Sequence, residues 1–251
     1  MRIGIICYPT FGGSGVVATE LGIELSKRGH HIHFMAYKKP VRLDTDLERI
    51  HFHEVHVPNY PLFHYQPYEL ALSSALVDMV RLHKIDLLHA HYAIPHAYAA
   101  FMAKQMLAEL QINTPIVTTL HGSDITLVGS HPFYKPAVTF SINNSDVVTC
   151  VSKSLKHDTK DIFNVKMEID VVPNFIDIQK YERLRNTCSR EQLVKPDERL
   201  VTHVSNFRPV KRVQDVLSVF AKVNKKVKSR LILVGDGPER QSAEEYTKEL
   251  G

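Results

Sequence analysis

Two basic residues three positions apart, Arg208 and Lys211, follow the apolar run 200–205. An arginine and a lysine at this spacing can both reach one diphosphate, and the arginine can bind it through two parallel hydrogen bonds. Fixed cations of this kind stabilise the charge that develops on a departing phosphate group. The pair therefore favours a site for a nucleotide diphosphate, and the alternative is a solvated basic turn.

A second stretch suited to anions is the glycine-rich turn F-G-G-S-G at 11–15. It lies between the apolar run 3–7 and a helical pattern with Val17, Leu21 and Leu25 on one face. Glycines let backbone N–H groups come close to a ligand, and the N-terminus of a helix favours negative charge. The spacing is not that of G-x-G-x-x-G, so a tight turn without a ligand is the alternative.

Polar side chains follow two further apolar runs. Tyr92 comes just after the run 85–90, while Thr119 and His121 lie at the end of the run 115–120. Ligands gather at the carboxyl ends of the strands in open parallel sheets. We therefore expect these side chains to border a binding site.

Histidines recur along the chain, and metal binding is one explanation for them. Strand alternation places His51 and His53 on one face and His56 on the other, and it places His89 and His91 on a shared face. No cysteine near the first group, and no carboxylate after the second, completes a ligand set. We expect no metal site, and we interpret the histidines of the first group as solvated.

Apolar runs alternate with helical patterns over most of the chain, which predicts an α/β fold with a parallel, doubly wound sheet. The pattern breaks at P-N-F-I-D, 173–177, and restarts with the runs 200–205 and 231–234. Two strands are too few to close a core of their own. We therefore expect a first domain at 1–175 and an incomplete second domain at 176–251, as in a fragment of a longer protein.

The composition limits the class of protein. Of the 251 residues, 44% are hydrophobic, and 31 basic against 27 acidic residues give a net charge of +4. This charge suits a phosphate-bearing substrate and is far below that of a nucleic-acid binder. Cys7 and Cys150 lie in apolar runs, and neither they nor Cys188 have metal-ligand spacing, which indicates reduced core thiols. Since no apolar run reaches about 20 residues and no signal peptide is evident, we expect a soluble cytoplasmic protein without a membrane anchor.

The run 31–36 is followed by Tyr37, Lys38 and Lys39, where a dinucleotide oxidoreductase usually places an acid that holds the ribose. This difference counts against NAD. An NADP-linked protein that uses the two lysines, or a non-catalytic nucleotide-binding module, is an alternative from another functional class.

Four motifs stand in order along the chain: F-G-G-S-G at 11–15, H-Y-A-I-P-H at 91–96, T-T-L-H-G-S-D at 118–124, and S-N-F-R-P-V-K-R at 205–212, the last joined to V-G-D-G-P-E at 234–239. Together they resemble the retaining GT-B glycosyltransferases of family 4. The resemblance implies two Rossmann-like parallel-sheet domains that face each other across a cleft, with the second truncated here.

Within the family, the resemblance is to enzymes of bacillithiol synthesis that transfer N-acetylglucosamine from UDP-N-acetylglucosamine to L-malate. Another sugar, or a lipid, is the alternative acceptor. The resemblance implies catalytic roles for Arg208, Lys211 and His121. It implies donor contacts from Gly13, Gly15, Asn206, Arg208 and Lys211, and contacts to a small dicarboxylate acceptor from Ser14, Tyr92, Thr119 and His121. It implies neither a metal nor another cofactor, and it leaves a homo-oligomer open.

The sequence departs from the family in one respect. Members carry two glutamates spaced E-x7-E, of which the second holds the nucleotide ribose, and no two glutamates of this chain have that spacing. We therefore expect the 251-residue chain alone to lack transfer activity and to bind UDP-sugars weakly.

Overall fold

The computed structural model describes residues 1–10, 12–43, 47–59, 61–62, 64–178 and 190–251. They form two compact units, Met1–Ile176 and Asp177–Gly251. Phe11 of the glycine-rich turn and Cys188 lie outside the described residues.

The described part of the first unit contains a sheet of parallel strands. Its strands are β1 Arg2–Ile6, β2 His31–Ala36, β3 Ile50–Glu54, β4 Leu87–His91, β5 Ile116–Leu120, β6 Val147–Cys150 and β7 Ile169–Val171. They are arranged in the order β3-β2-β1-β4-β5-β6-β7, and every neighbouring pair is parallel. This is the order of a doubly wound sheet, in which the direction of winding reverses between β1 and β4. The predicted α/β class is confirmed.

Helices connect these strands. They are α1 Ser14–Lys27, α2 Tyr68–His83, α3 Tyr98–Glu109, α4 Ser123–Thr126, α5 Lys135–Asn143 and α6 Lys153–Ile162, with an irregular turn at Ala93–Ala97, in which Ile94 is extended, before α3. Ser152 caps the N-terminus of α6, because its Oγ accepts a hydrogen bond of 3.1 Å from the backbone N–H of Leu155.

Apolar side chains fill both faces of the sheet, since successive strand residues point to opposite sides. Ile5 packs in a cluster with Ala18 of α1, whereas Ile6 packs in a different cluster with Leu72 and Leu76 of α2. Cys7 and Cys150 are buried with free thiols, in agreement with their prediction as core residues.

Helix α1 packs through its small residues rather than through the face with Val17, Leu21 and Leu25, which are only half-buried. Its fully buried residues are Ser14, Gly15, Ala18, Thr19, Gly22 and Ser26. A Cβ on Gly22 would lie 2.3 Å from Cζ of Phe34 on β2. The helix therefore lies close to the sheet, and the large apolar residues flank the contact instead of forming it.

The second unit has a smaller core. It contains α7 Arg190–Leu193, β8 Arg199–Val204, α8 Val213–Asn224, β9 Ser229–Val234 and α9 Arg240–Leu250. Strands β8 and β9 pair in parallel, as the restarted alternation predicts. The buried apolar residues of its core cluster are Phe207, Val213, Leu217 and Ala243. Among the described residues of the whole chain, every helix is too short or too polar to cross a lipid bilayer.

Candidate functional site

The loops that follow β1 and β4 meet at the point where the winding of the sheet reverses. The ring of Tyr8, after β1, packs edge-on against the ring of Tyr92, after β4, with centroids 5.3 Å apart. The ring centroid of Tyr8 also lies 4.5 Å from that of the His96 imidazole. Open α/β sheets bind their ligands in the crevice at this position.

The glycine-rich turn places the N-terminus of α1 beside this crevice. Gly13 precedes the helix in a left-handed conformation with φ 62°, which glycine adopts without steric cost. A Cβ on Gly15 would lie 2.4 Å from the carbonyl oxygen of Tyr8, so the first turn of α1 packs directly on the preceding loop. No acidic side chain occupies that first turn. The positive end of the helix dipole is therefore not offset by a local carboxylate, and Ser14 is buried there.

The loops after β4 and β5 are joined at Tyr92. Its backbone N–H donates to the carbonyl oxygen of Thr119 at 3.0 Å, and its hydroxyl lies 2.9 Å from Oγ of Ser123. Its ring lies 5.4 Å from that of His121. The structure thus brings Tyr92, Thr119 and His121 together, and their roles in binding stay predictions.

The hydroxyl of Thr119 is already engaged. It lies 2.7 Å from Nε2 of His89 and 2.7 Å from the hydroxyl of Thr149 on β6. A threonine hydroxyl has one proton to donate and two lone pairs. Thr119 therefore has at most one position left for a ligand, and its contacts also fix the ring of His89.

His121 is held as a neutral imidazole. Its Nε2 lies 2.9 Å from Nδ1 of His91. Burial, followed by the neighbouring His89 and His96, lowers the pKa of His121 to about 4. Burial, followed by the neighbouring His89, His121 and His96, lowers the pKa of His91 well below its ordinary value. Neither ring carries a charge near neutral pH.

The tautomers of His91 and His121 are coupled by the hydrogen bond between them. Within the described residues, Nε2 of His91 is buried without a hydrogen-bond partner. One nitrogen of the hydrogen-bonded pair donates and the other accepts, so the tautomer of each ring sets that of the other. Nδ1 of His121 is then a donor or an acceptor for a ligand according to that tautomer.

Asp124 organises these loops, and the sequence patterns alone predict no role for it. It is 2% exposed. One carboxylate oxygen accepts hydrogen bonds from the backbone N–H groups of His121, at 3.1 Å, and Gly122, at 2.9 Å. The other accepts from the N–H of Ala93, at 3.1 Å, after β4. Burial raises the pKa of Asp124, and these hydrogen bonds oppose the rise. Its presence in the T-T-L-H-G-S-D motif is the only sequence signal that marks it.

In the second unit, the two motifs after β8 and β9 are locked together around Phe207. The N–H of Phe207 donates to the carbonyl oxygen of Asp236 at 2.9 Å, and its own carbonyl accepts from the N–H of Glu239 at 3.0 Å. A Cβ on Gly237 would lie 2.6 Å from that carbonyl oxygen. The G-D-G-P-E sequence thus supports the S-N-F-R-P-V-K-R loop, and the ring of Phe207 is buried.

This support positions the cationic pair. Arg208 precedes a short 3-10 turn, Pro209–Lys211, which ends at Lys211. The N–H of Lys211 donates to the carbonyl oxygen of Arg208 at 2.8 Å. Asn206 begins the same turn region, where its carbonyl accepts from the N–H of Arg208 at 2.7 Å. Both cationic side chains are exposed, and neither forms an ion pair with any described residue, whereas the adjacent Arg212 pairs with Asp215. The pair is therefore available to an external anion.

Two family models together match most of the chain. The model described as Glycosyltransferase Family 4 matches residues 11–180, and the model described as Glycosyl transferases group 1 matches residues 185–251. The N-acetyl-alpha-D-glucosaminyl L-malate synthase of Bacillus anthracis is 48% identical over 240 residues, which cover 95% of this chain and 62% of that relative. The chain thus spans less than two thirds of the length of this curated relative.

Solved structures share the fold. Anabaena Alr3699/HepE in complex with UDP-glucose superimposes with a TM-score of 0.75 at 19% identity, over 100% of this chain and 65% of that one. Sucrose-phosphate synthase from Thermosynechococcus elongatus superimposes with a TM-score of 0.74 at 16% identity, over 100% of this chain and 68% of that one. These likenesses bear on the fold alone, which is of the GT-B type. The family match disagrees with an NADP-linked oxidoreductase, and the chain belongs to Glycosyltransferase Family 4.

Proposed function

We propose that this chain is part of a retaining glycosyltransferase that transfers N-acetylglucosamine from UDP-N-acetylglucosamine to L-malate, as in bacillithiol synthesis. The observation that carries glycosyl transfer is the cationic pair Arg208 and Lys211, which is exposed at a strand end and has no acidic partner among the described residues. The donor and the acceptor are supported by the relative named as an N-acetyl-alpha-D-glucosaminyl L-malate synthase.

The chemistry of the donor follows from charge. When the bond between the sugar and the diphosphate breaks, negative charge grows on the departing UDP, and cations that are already oriented stabilise it without further reorganisation. Arg208 supplies a planar fork for two phosphate oxygens and Lys211 supplies a second cation on the same turn. Donor contacts from Asn206, Gly13 and Gly15 are part of the proposal.

The acceptor contacts come from the loops after β1, β4 and β5 of the first unit. The Tyr92 hydroxyl, which pairs with Ser123, is a donor and acceptor suited to the malate hydroxyl or a carboxylate. Ser14 lies in the first turn of α1, where the helix dipole favours a carboxylate. His121 contacts a sugar oxygen as a neutral group, and Thr119 holds His89 beside it.

The proposal includes a cytoplasmic setting, supported by the free, buried thiols of Cys7 and Cys150. A homo-oligomer is left open.

The test is release of UDP from UDP-N-acetylglucosamine by the full gene product that contains this chain. We expect release that depends on L-malate, and a product in which the α-configuration of the sugar is retained. Release that requires a sugar or a lipid acceptor, with none on L-malate, would overturn the acceptor and leave glycosyl transfer standing. No release with any of these acceptors would overturn the function itself.

A further inference from the structure

Three histidines from separate parts of the chain converge at the edge of the first unit. His33 lies on β2, His53 lies on β3, and His83 is the last residue of α2. One ring nitrogen from each of them lies within 4.8 Å of the other two. The geometry points to a binding site for a divalent transition metal of the zinc type, with His33, His53 and His83 as its ligands and one coordination position open.

The fold explains the convergence. In the register of the parallel strands, His33 pairs with His51, and Met35 pairs with His53. His33 and His53 share their face with Met35 and Val55, which pack in the same cluster as α2. Helix α2 ends over this face, because Lys84 adopts a left-handed conformation with φ 51° and turns the chain toward β4. That turn holds His83 above the two strands.

The ligand atoms are close to the separation that a metal requires. Nδ1 of His33 and Nε2 of His53 are 2.9 Å apart and share a proton in a hydrogen bond. Around zinc, with Zn–N bonds of about 2.0–2.1 Å in a tetrahedron, two such nitrogens are about 3.3 Å apart. A small ring rotation opens that gap, and the shared proton moves to the outer nitrogen of its own ring. Rotation of the side chain of His83, the last residue of α2, closes the remaining distance.

The ligand type also suits a metal, because each imidazole offers the lone pair of one ring nitrogen. Imidazole ligands are typical of zinc, copper and nickel, and three protein ligands with an open fourth position are typical of exchangeable zinc sites.

Two cationic side chains border the pocket that contains the three histidines, and they favour an anion as the fourth ligand of the metal. Arg2 and Lys84 line it together with the three ligands, and so do His31 and His51. Positive side chains oppose a bare dication, so the open position takes an anion such as hydroxide or chloride. The site lies on the face of β2 and β3 that the end of α2 covers, with Arg2 from the start of β1 in its lining, whereas the candidate active site follows the carboxyl ends of β1, β4 and β5. It is therefore separate from the proposed transfer chemistry.

The test uses the full 251-residue chain with Zn²⁺ or Co²⁺ alone, followed by titration calorimetry and by the visible spectrum of Co²⁺. We expect one equivalent to bind, the spectrum of a tetrahedral nitrogen site, and a melting temperature that rises with metal concentration. His53→Gln and His83→Gln should weaken binding by about a hundredfold, since even second-shell changes at metal sites cost about 10–100-fold. His56→Gln, on an exposed residue just beyond the end of β3, is the matched control and should bind as the parent does.

Two results would overturn the site: absence of stoichiometric binding, or affinities of His53→Gln and His83→Gln within threefold of the parent. Loss of binding in His121→Gln, with the other two variants unaffected, would overturn it as well by moving the metal to the strand-end histidines. If either ligand variant fails to fold, histidine nitrogen NMR of the parent decides. Zn²⁺ must then shift the resonances of His33, His53 and His83, and unchanged resonances overturn the proposal.

Discussion

A positive side chain can stabilise a departing phosphate only if no carboxylate already neutralises it. Arg208, Lys211 and Arg212 are neighbours in sequence and all three are exposed, yet only Arg212 pairs with an acid, Asp215, among the described residues. Within the described residues, the charges of Arg208 and Lys211 are therefore available to bind a phosphate, whereas the charge of Arg212 is already paired with Asp215.

We predict that Arg208→Ala and Lys211→Ala in the full gene product each cost about 2.7–4 kcal/mol of transition-state stabilisation, or roughly a 10²–10³-fold loss in kcat. Arg212→Ala is the control, and its turnover should stay within about threefold of the parent because its charge is paired and solvated. Steady-state kinetics of UDP release measure all three. Equal, small effects at the three positions would refute the assignment of the cationic pair.

Buried histidines link the stability of the first unit to pH. Burial lowers the pKa of His96 to about 4, although its Nδ1–H donates to the carbonyl oxygen of His91 at 2.6 Å. In the unfolded chain the same group titrates near its ordinary pKa of about 6.5. The unfolded state therefore binds the proton more readily. The contribution of neutral His96 to the free energy of unfolding is fully present above about pH 6.5 and is lost as the pH falls toward 4.

We predict that the free energy of unfolding falls with decreasing pH across this window, and that His96→Asn reduces the slope by up to about 1.4 kcal/mol per pH unit. Asparagine keeps an N–H donor for the His91 carbonyl, so the hydrogen bond is retained while the titrating group is removed. Urea unfolding at several pH values measures the slope. The exposed His64 provides the control, His64→Asn, which should leave the slope unchanged; an unchanged slope in His96→Asn would contradict the account.

At the scale of elements, the start of α1 requires glycine at position 15, because the preceding loop leaves no room there for a side chain. A Cβ at Gly15 would lie 2.4 Å from the carbonyl oxygen of Tyr8 and 3.0 Å from the backbone nitrogen of Thr10, both of which are backbone atoms without freedom to rotate away. Gly12, in the same turn, has no atom within 4 Å of a Cβ among the described residues. One turn thus contains a constrained and an unconstrained glycine.

We predict that Gly15→Ala destabilises the chain by about 1–3 kcal/mol through overpacking and weakens UDP-sugar use in the full gene product by displacing the helix N-terminus. Gly12→Ala should change stability by less than about 0.5 kcal/mol. Chemical denaturation and KM for the UDP-sugar provide the two measurements. If Gly15→Ala left both the stability and the KM for the UDP-sugar unchanged, the close contact between α1 and the preceding loop would not be needed, and the prediction would be wrong.

The elements could be predicted from sequence because their signals are local. The run 31–36 matches the bounds of β2, and Leu72, Leu76, Met79 and Val80 of α2 stand at helical spacing on one side. Contacts between distant segments have no such signal. The three ligands of the histidine site come from residues 33, 53 and 83, and Asp124 reaches Ala93 across two loops. The prediction that the strand histidines are solvated is wrong for His53, which is half-buried beside His33.

At the scale of the whole molecule, the two units differ in how much apolar surface they bury. The unit Met1–Ile176 has three clusters of buried apolar residues around its parallel sheet. The unit Asp177–Gly251 has one small cluster and a two-stranded sheet among its described residues. Val204 is 72% exposed and Val234 is 46% exposed on those strands. Two strands with an open apolar surface are at best marginally stable in water.

We predict that residues 1–176, produced alone, unfold cooperatively in urea and stay monomeric, because their core is complete without residues 177–251. We expect residues 177–251 alone to give a broad, non-cooperative transition, and to associate as the concentration rises, because exposed strand edges pair with one another. Circular dichroism during denaturation and size-exclusion chromatography at several concentrations distinguish these states. Val204→Thr should reduce association, because it removes apolar surface from an exposed strand position while keeping a β-branched side chain. A monomeric second unit with a sharp transition would mean that the cluster around Phe207 supplies more stability than its size suggests.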